Sequence, residues 1–597
     1  MHYDKKLGDF VYTGLTIEGV QPIAPTDIAK RAFDVIVGGK RYGKGSSREH
    51  SPLAEKSAGI KLVIAESFER IYRQNCDNLG LFTSTDFSLI DRIKRGEDIA
   101  IEELLKGRDS LARQILISGG LLNFGQQYLS DAPDMTVMPS PPLTLAQKII
   151  ARNCVDVAGI PAEFVPGSSV FVRSDFRFIH EYYTAMAANM IEQNFAENIP
   201  LKDPQTIILF EDHLSYAHRS PTHLKLGLLP QVRILSDKHR AFGKKYGLTD
   251  HSYLPGGEGS EGISHAMMAE KYALPGALLV GTDSHTPHSG ALGCFAYGVG
   301  TTDMANAFLT GISKLNLAET VLIKLQGDLP DGVMAKDVAL KLLSTDFIRE
   351  GKGLGKIFEF TGSVIEKMSI DERATLTNMV AEMGGLTGLC APDEKTIDFI
   401  KERRGQIIEL EDWMCSDKGA VYEDILEIDC STLCPMLARP GDPGNGVSIA
   451  DLEGEIPVDI AYGGSCTAGK RADFDQYHQV ALWAMQHNMK VPEHIEFYLQ
   501  CGTMEVQKYC IEKGYMPAFE YIGAEILSPS CGACGQCGPG VSSEASQVTI
   551  SAINRNFPGR GGPGKTWLAN PATVVASPLA GKIISFADLQ KNTAGQL

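Results

Sequence analysis

An α/β protein of several domains is expected from three features of the chain. A strand, glycine-rich turn, helix and second strand follow one another near the N-terminus; short apolar runs alternate with helical stretches through the middle; and proline- and glycine-rich passages interrupt the pattern near residues 135 and 440. From Phe33, the text FDVIVGGKRYGKGSSREHSPLAEKSAGIKLVIAESFERIY reads as a βαβ unit with a parallel sheet. DAPDMTVMPSPPLTLAQ, rich in proline and without either periodicity, reads as a linker that ends this unit near residue 135. Beyond it, TIILFEDH and GALLVGTDSHT read as strands and YTAMAANMIEQNF as a helix. ARPGDPGNG suggests a further inter-domain passage near 440. No fixed-period repeat or low-complexity tract is present, which argues against solenoids and disordered tails.

The 597 residues, 43% of them apolar and 22% charged, are enough for three or four domains. A net charge of −17 disfavours long-range attraction to nucleic acid or anionic membrane, so an acidic ligand needs local arginines. Thirteen cysteines, an odd number, and the polar start MHYDKKLGDF favour free thiols in a reducing cytoplasm. The apolar runs are too short and interrupted to span a membrane.

Cys466 in GGSCTAG and the pair Cys531 and Cys534 in SPSCGACGQC are the most informative residues, because three thiolates hold a metal cluster and leave one position open. By itself the Cys-x-x-Cys spacing serves zinc, a redox disulfide or no ligand at all. Cys537 is a neighbouring bystander or spare ligand, and Cys430 and Cys434 read as buried small hydrophobes. In YGKGSSREH, Ser46, Ser47 and Arg48 stand between a strand and a helix, where backbone N–H groups favour an anion; helix caps and a solvated arginine are the plainer reading. Gly43 and Gly45 tilt the balance toward a close backbone approach to a ligand.

Asp283, Ser284 and His285 end an apolar run, as do Asp212 and His213, and His265 lies in EGISHAM. A single histidine is more often structural, and neighbours on a strand face opposite ways. Three histidines beside acids suit an acid/base site in which carboxylates orient imidazoles. Asn378 and Glu382, four apart, share a helix face that is either functional or an exposed polar stripe. INRNFPGR supplies Asn554, Arg555 and Arg560, two fixed cations able to grip carboxylates. The stretch 559–566, GRGGPGKT, fits a Walker A pattern, but no apolar strand precedes it and Pro571 follows.

Taken together, these motifs resemble the aconitase and isopropylmalate dehydratase superfamily over nearly the whole chain. YGKGSSREH and SFERIYRQN look like its swivel domain, or small subunit; DSHT, GGSCT, the Cys-x-x-Cys and NRNFPGR look like its large catalytic part. The order is unusual, with the swivel domain first and fused. The resemblance implies a swivel domain over 1–135, followed by three cluster-binding α/β/α domains over 136–325, 326–425 and 426–597, the last carrying the cysteines.

It further implies that Cys466, Cys531 and Cys534 ligate a 4Fe-4S cluster, with Asn378 and Asn554 hydrogen-bonding near it. Ser46 would be the base that takes the proton alpha to a carboxylate, assisted by Arg48. Asp212 and His213 would protonate the departing hydroxyl, and His265, Asp283, His285 and Glu382 would surround the iron-bound water. Ser47, Ser284, Arg555 and Arg560 would hold substrate carboxylates. His180, in FIHEYYT, stands where the isopropylmalate branch has histidine and aconitases have glutamine. Ala468 and Gly469 depart from the familiar SCTNS.

The expected function is dehydration and rehydration of a hydroxy di- or tricarboxylic acid, isopropylmalate- or alkylmalate-like first, then citrate or homocitrate. No nucleic-acid or membrane partner is expected, and a cytoplasmic monomer is plausible because both parts are fused. The alternatives are an RNA-binding or iron-sensing relative without turnover and a P-loop nucleotide hydrolase.

Overall fold

The computed structural model describes residues 5–40, 42–43, 49–129, 132–133, 139–157 and 164–595. Ser46, Ser47 and Arg48 lie outside the described residues.

The first unit contains the expected βαβ arrangement. Val35–Gly38, Leu62–Ala65 and Phe82–Ser84 form a three-stranded parallel sheet in sequence order, with the helix His50–Ser57 crossing between the first two strands. The middle strand, Leu62–Ala65, is buried along its whole length, which explains its unbroken apolar text. Two later helices, Ser110–Ile117 and Leu121–Tyr128, pack outward instead: Leu111, Ile115 and Phe124 share a core with Val155, Phe171 and Ile312. Phe124 stacks on Phe171 at 5.5 Å.

The expected linker ends earlier than its composition suggested. TLAQ begins the helix Leu145–Asn153, where the Thr144 hydroxyl accepts from the Gln147 N–H and the Gln147 side chain returns to the Thr144 N–H.

Three further sheets of four or more strands and one small antiparallel sheet carry the rest. Phe295–Gly298, Leu278–Gly281, Phe176–His180, Ile207–Phe210 and Thr249–His251 form a five-stranded parallel sheet in that spatial order. A small antiparallel sheet joins Ile312–Asn316, Ser169–Arg173 and Cys154–Val155. Thr387–Cys390, Ile357–Thr361, Thr320–Gln326 and Asp424–Asp429 form a four-stranded parallel sheet. The segment limits expected at 325/326 and 425/426 fall inside two of its strands.

The last sheet has seven strands, ordered Gly446–Ser448, Met436–Ala438, Lys565–Ala569, Val548–Ser551, Ile460–Gly463, Glu496–Gln500 and Glu525–Leu527. Its first two strands are an antiparallel pair. ARPGDPGNG is therefore the connection within this pair and not an inter-domain passage; the proline and glycine punctuation marks a turn. No helix among the described residues is long and apolar enough to cross a membrane.

The parallel sheets direct their chemistry to their carboxyl ends. His180 ends its strand, Asp212 and His213 follow Ile207–Phe210, Asp283 follows Leu278–Gly281, and Cys466 follows Ile460–Gly463. In such sheets ligands bind beyond these ends, where connecting loops leave a crevice.

Candidate active site

The Asp283 carboxylate is the hub of a buried ring. His265 Nε2 lies 3.2 Å and His285 Nδ1 3.1 Å from its Oδ1; His213 Nε2 lies 3.6 Å and His180 Nε2 3.9 Å from its Oδ2. Burial opposes ionisation of Asp283, but the hydrogen bonds from His213, His265 and His285 prevail and hold it well below the usual carboxylate range.

Asp212 and His213 were expected to face opposite ways if both lay on a strand. They do not: the strand ends at Phe210, the chain turns, and Asp212 Oδ1 meets His213 Nδ1 at 2.6 Å. Asp212 Oδ2 also accepts the Ser264 N–H at 2.7 Å. Burial works against charge on both partners. Even so, the ion pair holds Asp212 below and His213 well above their ordinary values. The His213 ring lies flat against His180, with centroids 3.9 Å apart.

On the other side, His285 Nε2 lies 2.9 Å from Glu382 Oε1 and 2.8 Å from Asn554 Nδ2. Glu382 Oε1 also accepts from Arg555 Nε at 2.7 Å, and Arg555 Nη2 donates to Ser284 Oγ at 2.9 Å. The Asn378–Glu382 pair is thus inward-facing and not an exposed stripe, with Asn378 fully buried. Its α-helix ends at Asn378 and tightens into a 3₁₀ turn over Met379–Ala381.

The three cysteines converge on this ring. Asn554 Oδ1 lies 2.9 Å from Cys534 Sγ, while Asn554 Nδ2 reaches Cys466 Sγ at 3.7 Å. Cys466 Sγ is 3.8 Å from Asn378 Oδ1. Cys531 and Cys534 hydrogen-bond to each other, which favours the thiolate at Cys534; Arg560 adds to this with Nη2 3.9 Å from its sulfur. Burial pushes Cys466 up to about 12. Three buried, soft sulfur donors within reach of two amides fit an iron-sulfur cluster, since such clusters take thiolate ligands and are tuned by hydrogen bonds to sulfur. Arg560 Nε is buried without a hydrogen-bond partner among the described residues.

Backbone constraints fix the Cys466 loop. Gly464 has φ 136°, and a Cβ there would come 2.4 Å from the Gln500 carbonyl oxygen; Ser465 follows with φ 65°. Gly469 lies back to back with Gly502, whose N–H donates to the Gly469 carbonyl at 2.8 Å, and a Cβ on Gly469 would come 2.8 Å from that nitrogen. A serine side chain has no room there, which accounts for glycine at that departure from SCTNS.

Other expectations separate. Cys537 Sγ lies 3.4 Å from Tyr182 Oη and 3.9 Å from His223 Nε2, with His213, Glu181 and Arg560 close enough to act on it. Cys430 is buried, but Cys434 is exposed: the turn over Cys430–Thr432 is only three residues long, so the two cysteines do not share a helix face. The Walker-like glycines make no phosphate cradle. Cβ atoms at Gly562 and Gly564 would strike Ser542, and Lys565 opens a strand where a P-loop needs a helix.

Two contributors escaped sequence reasoning. Lys336 is buried, donates from Nζ to the Ile553 carbonyl at 2.6 Å, and feels Glu382, Cys466 and Cys534; burial lowers it to about 8. A lone lysine in a helix carries no motif. Glu181 Oε1 accepts the His213 and Leu214 N–H groups at 2.9 and 2.6 Å, and burial together with Asp212 raises it to about 7. Its adjacency to His180 was the one available signal.

The aconitase family model (aconitate hydratase) matches residues 230–581, and the aconitase C-terminal domain model matches residues 26–85. The chain is 33% identical over 446 residues to 3-isopropylmalate dehydratase large subunit 1 of Methanopyrus kandleri, covering 74% of this chain and 98% of that one. The corresponding large subunit 1 of Thermotoga maritima is also 33% identical, with the same coverage. The chloroplastic large subunit of Arabidopsis thaliana is 32% identical over 453 residues, 74% of this chain and 86% of that one. With the domain that the second model describes placed before the first, the chain belongs to the aconitase family and is a hydro-lyase.

Proposed function

We propose that the protein dehydrates a hydroxy dicarboxylate of the isopropylmalate or alkylmalate kind to an alkene acid and rehydrates it at the adjacent carbon. Residues 1–135 act as the swivel unit and 136–597 as the catalytic part. The observation that carries this reading is the convergence of three buried thiols with an imidazole–carboxylate ring and two guanidinium groups. The names of the relatives and His180 at the ring support the substrate class.

Cys466, Cys531 and Cys534 would hold a 4Fe-4S cluster, which when bound supplies a Lewis acid for a substrate oxygen. His213 carries a proton at Nε2 beside Asp283 and delivers it to the departing hydroxyl, while Asp212 stabilises the imidazolium. Ser46 takes the proton alpha to the carboxylate, and Arg48 lowers the cost of its alkoxide. Arg560 and Arg555, with Ser47 and Ser284, grip the carboxylates. His265, His285 and Glu382 order the water that returns.

Anaerobic reconstitution with iron and sulfide, followed by a screen of hydroxy acids for absorbance of the conjugated alkene, tests the reading. Turnover of an alkylmalate above citrate supports it. No turnover of any hydroxy acid, with salt-sensitive RNA binding by the cluster-free chain, would favour the iron-sensing alternative.

A further inference from the structure

Glu49 is the residue before the last in the YGKGSSREH stretch, and neither the ring nor the cysteine group uses it. Its side chain is fully buried. Oε2 accepts the backbone N–H of Thr302 at 2.6 Å. Thr302 is the second residue of the helix Thr301–Thr310, whose first amides have no partner inside the helix. The cap residue of that helix, Gly300, offers no side chain; a Cβ there would come 3.1 Å from the Glu49 carboxyl and 3.2 Å from Asn75 Oδ1. A glutamate from the N-terminal unit thus supplies the cap that the helix lacks.

A second tie is independent of the first. Asn78 Nδ2, from the same N-terminal unit, donates to Asp303 Oδ2 at 2.7 Å in the same helical turn. Glu49 also holds φ 82°, a left-handed conformation that costs a non-glycine residue about 1–3 kcal/mol and persists only where the surroundings enforce it. The helix is itself tied to the catalytic ring. It follows the strand Phe295–Gly298, which pairs with Leu278–Gly281, and a Cβ on Gly298 would come 2.7 Å from the Asp283 carbonyl oxygen.

We propose that Glu49 is a positioning residue: it docks the N-terminal unit on the amino end of the Thr301–Thr310 helix, and that unit's share in turnover depends on this seat. This rests on the reading of Ser46 as the base. Burial, then the Asp303 charge, push the Glu49 carboxyl up to about 8, so near neutral pH it is largely uncharged and glutamine is a fair mimic.

The test uses the full chain with its cluster reconstituted and compares Glu49→Ala, Glu49→Gln and Ser46→Ala. Amide hydrogen exchange over residues 299–305 reads docking; kcat and KM on an alkylmalate read catalysis. Glu49→Ala is expected to lose protection at these amides and to lower kcat by about tenfold to a hundredfold with KM little changed, as a small misplacement of a catalytic group does. Glu49→Gln should restore both. Ser46→Ala should lose turnover with native exchange, so failure of the base assignment shows separately from failure of the docking. If the alanine variant does not fold, Glu49→Asp, one methylene shorter, should show the same losses. Native exchange in the alanine or aspartate variant, or a glutamine variant as damaged as alanine, would overturn the proposal.

Discussion

Asp212 Oδ1 and His213 Nδ1, from adjacent residues, lie 2.6 Å apart, and against the cost of burial this contact favours the protonated form of the imidazole. Its other nitrogen faces Asp283 Oδ2 at 3.6 Å, so the ring lies between two carboxylates. His213→Asn should retain the cluster's visible absorption and lower kcat by about 10²–10⁴-fold, the usual worth of a positioned acid. Single-turnover rates on reconstituted protein check this; a loss below about threefold would remove the acid role.

Cys531→Ser should abolish both the visible absorption of the reconstituted protein and its dehydration activity, because one of three sulfur ligands is gone. A colourless variant with full activity would show that no metal takes part. Cys434→Ser, at an exposed cysteine, should leave both unchanged.

Gly464→Ala should destabilise the loop that presents Cys466. The residue would adopt φ 136° with a Cβ 2.4 Å from the Gln500 oxygen, so backbone strain alone costs about 1–3 kcal/mol and the loop must shift besides. Thermal unfolding and iron content should fall together; a native melting temperature with full iron would contradict the constraint.

Stability should fall from mildly acidic toward mildly alkaline pH through Glu49 and Asp303, raised by burial to about 8 and about 6. Because both folded values lie above the ordinary carboxylate range, their contribution is complete below that range. It is lost as pH rises through about 6 and then about 8. Each tenfold difference in proton affinity is worth about 1.4 kcal/mol. Glu49→Gln, which does not titrate, should therefore show a smaller drop in melting temperature between about pH 5 and pH 8 than the unsubstituted chain. Equal drops would exclude Glu49 from the linkage.

The sheets and the chemistry of the site were legible where residue type and period speak locally. Apolar runs such as LLVG over 278–281 announce strands buried on both faces, and acids, histidines and cysteines just beyond such runs announce strand-end chemistry. Periodicity says less where the chain turns. ARPGDPGNG looks alike between domains or within a hairpin, because proline and glycine record the local turn and not what lies on either side. TLAQ carries the Thr-x-x-Gln signature of a capping box, but the prolines just before it set the composition of the whole stretch.

Left to itself, the order of amino acids determined the α/β class and the family, since these depend on residue chemistry and short-range spacing. Tertiary structure alone decided which groups share charge: the Asp283 hub, the Asn554 bridge between Cys466 and Cys534, and the seating of Glu49 on Thr302 join residues remote in sequence. Those contacts also set the protonation states. Burial and the distance between opposite charges govern them, and neither quantity is written along a chain.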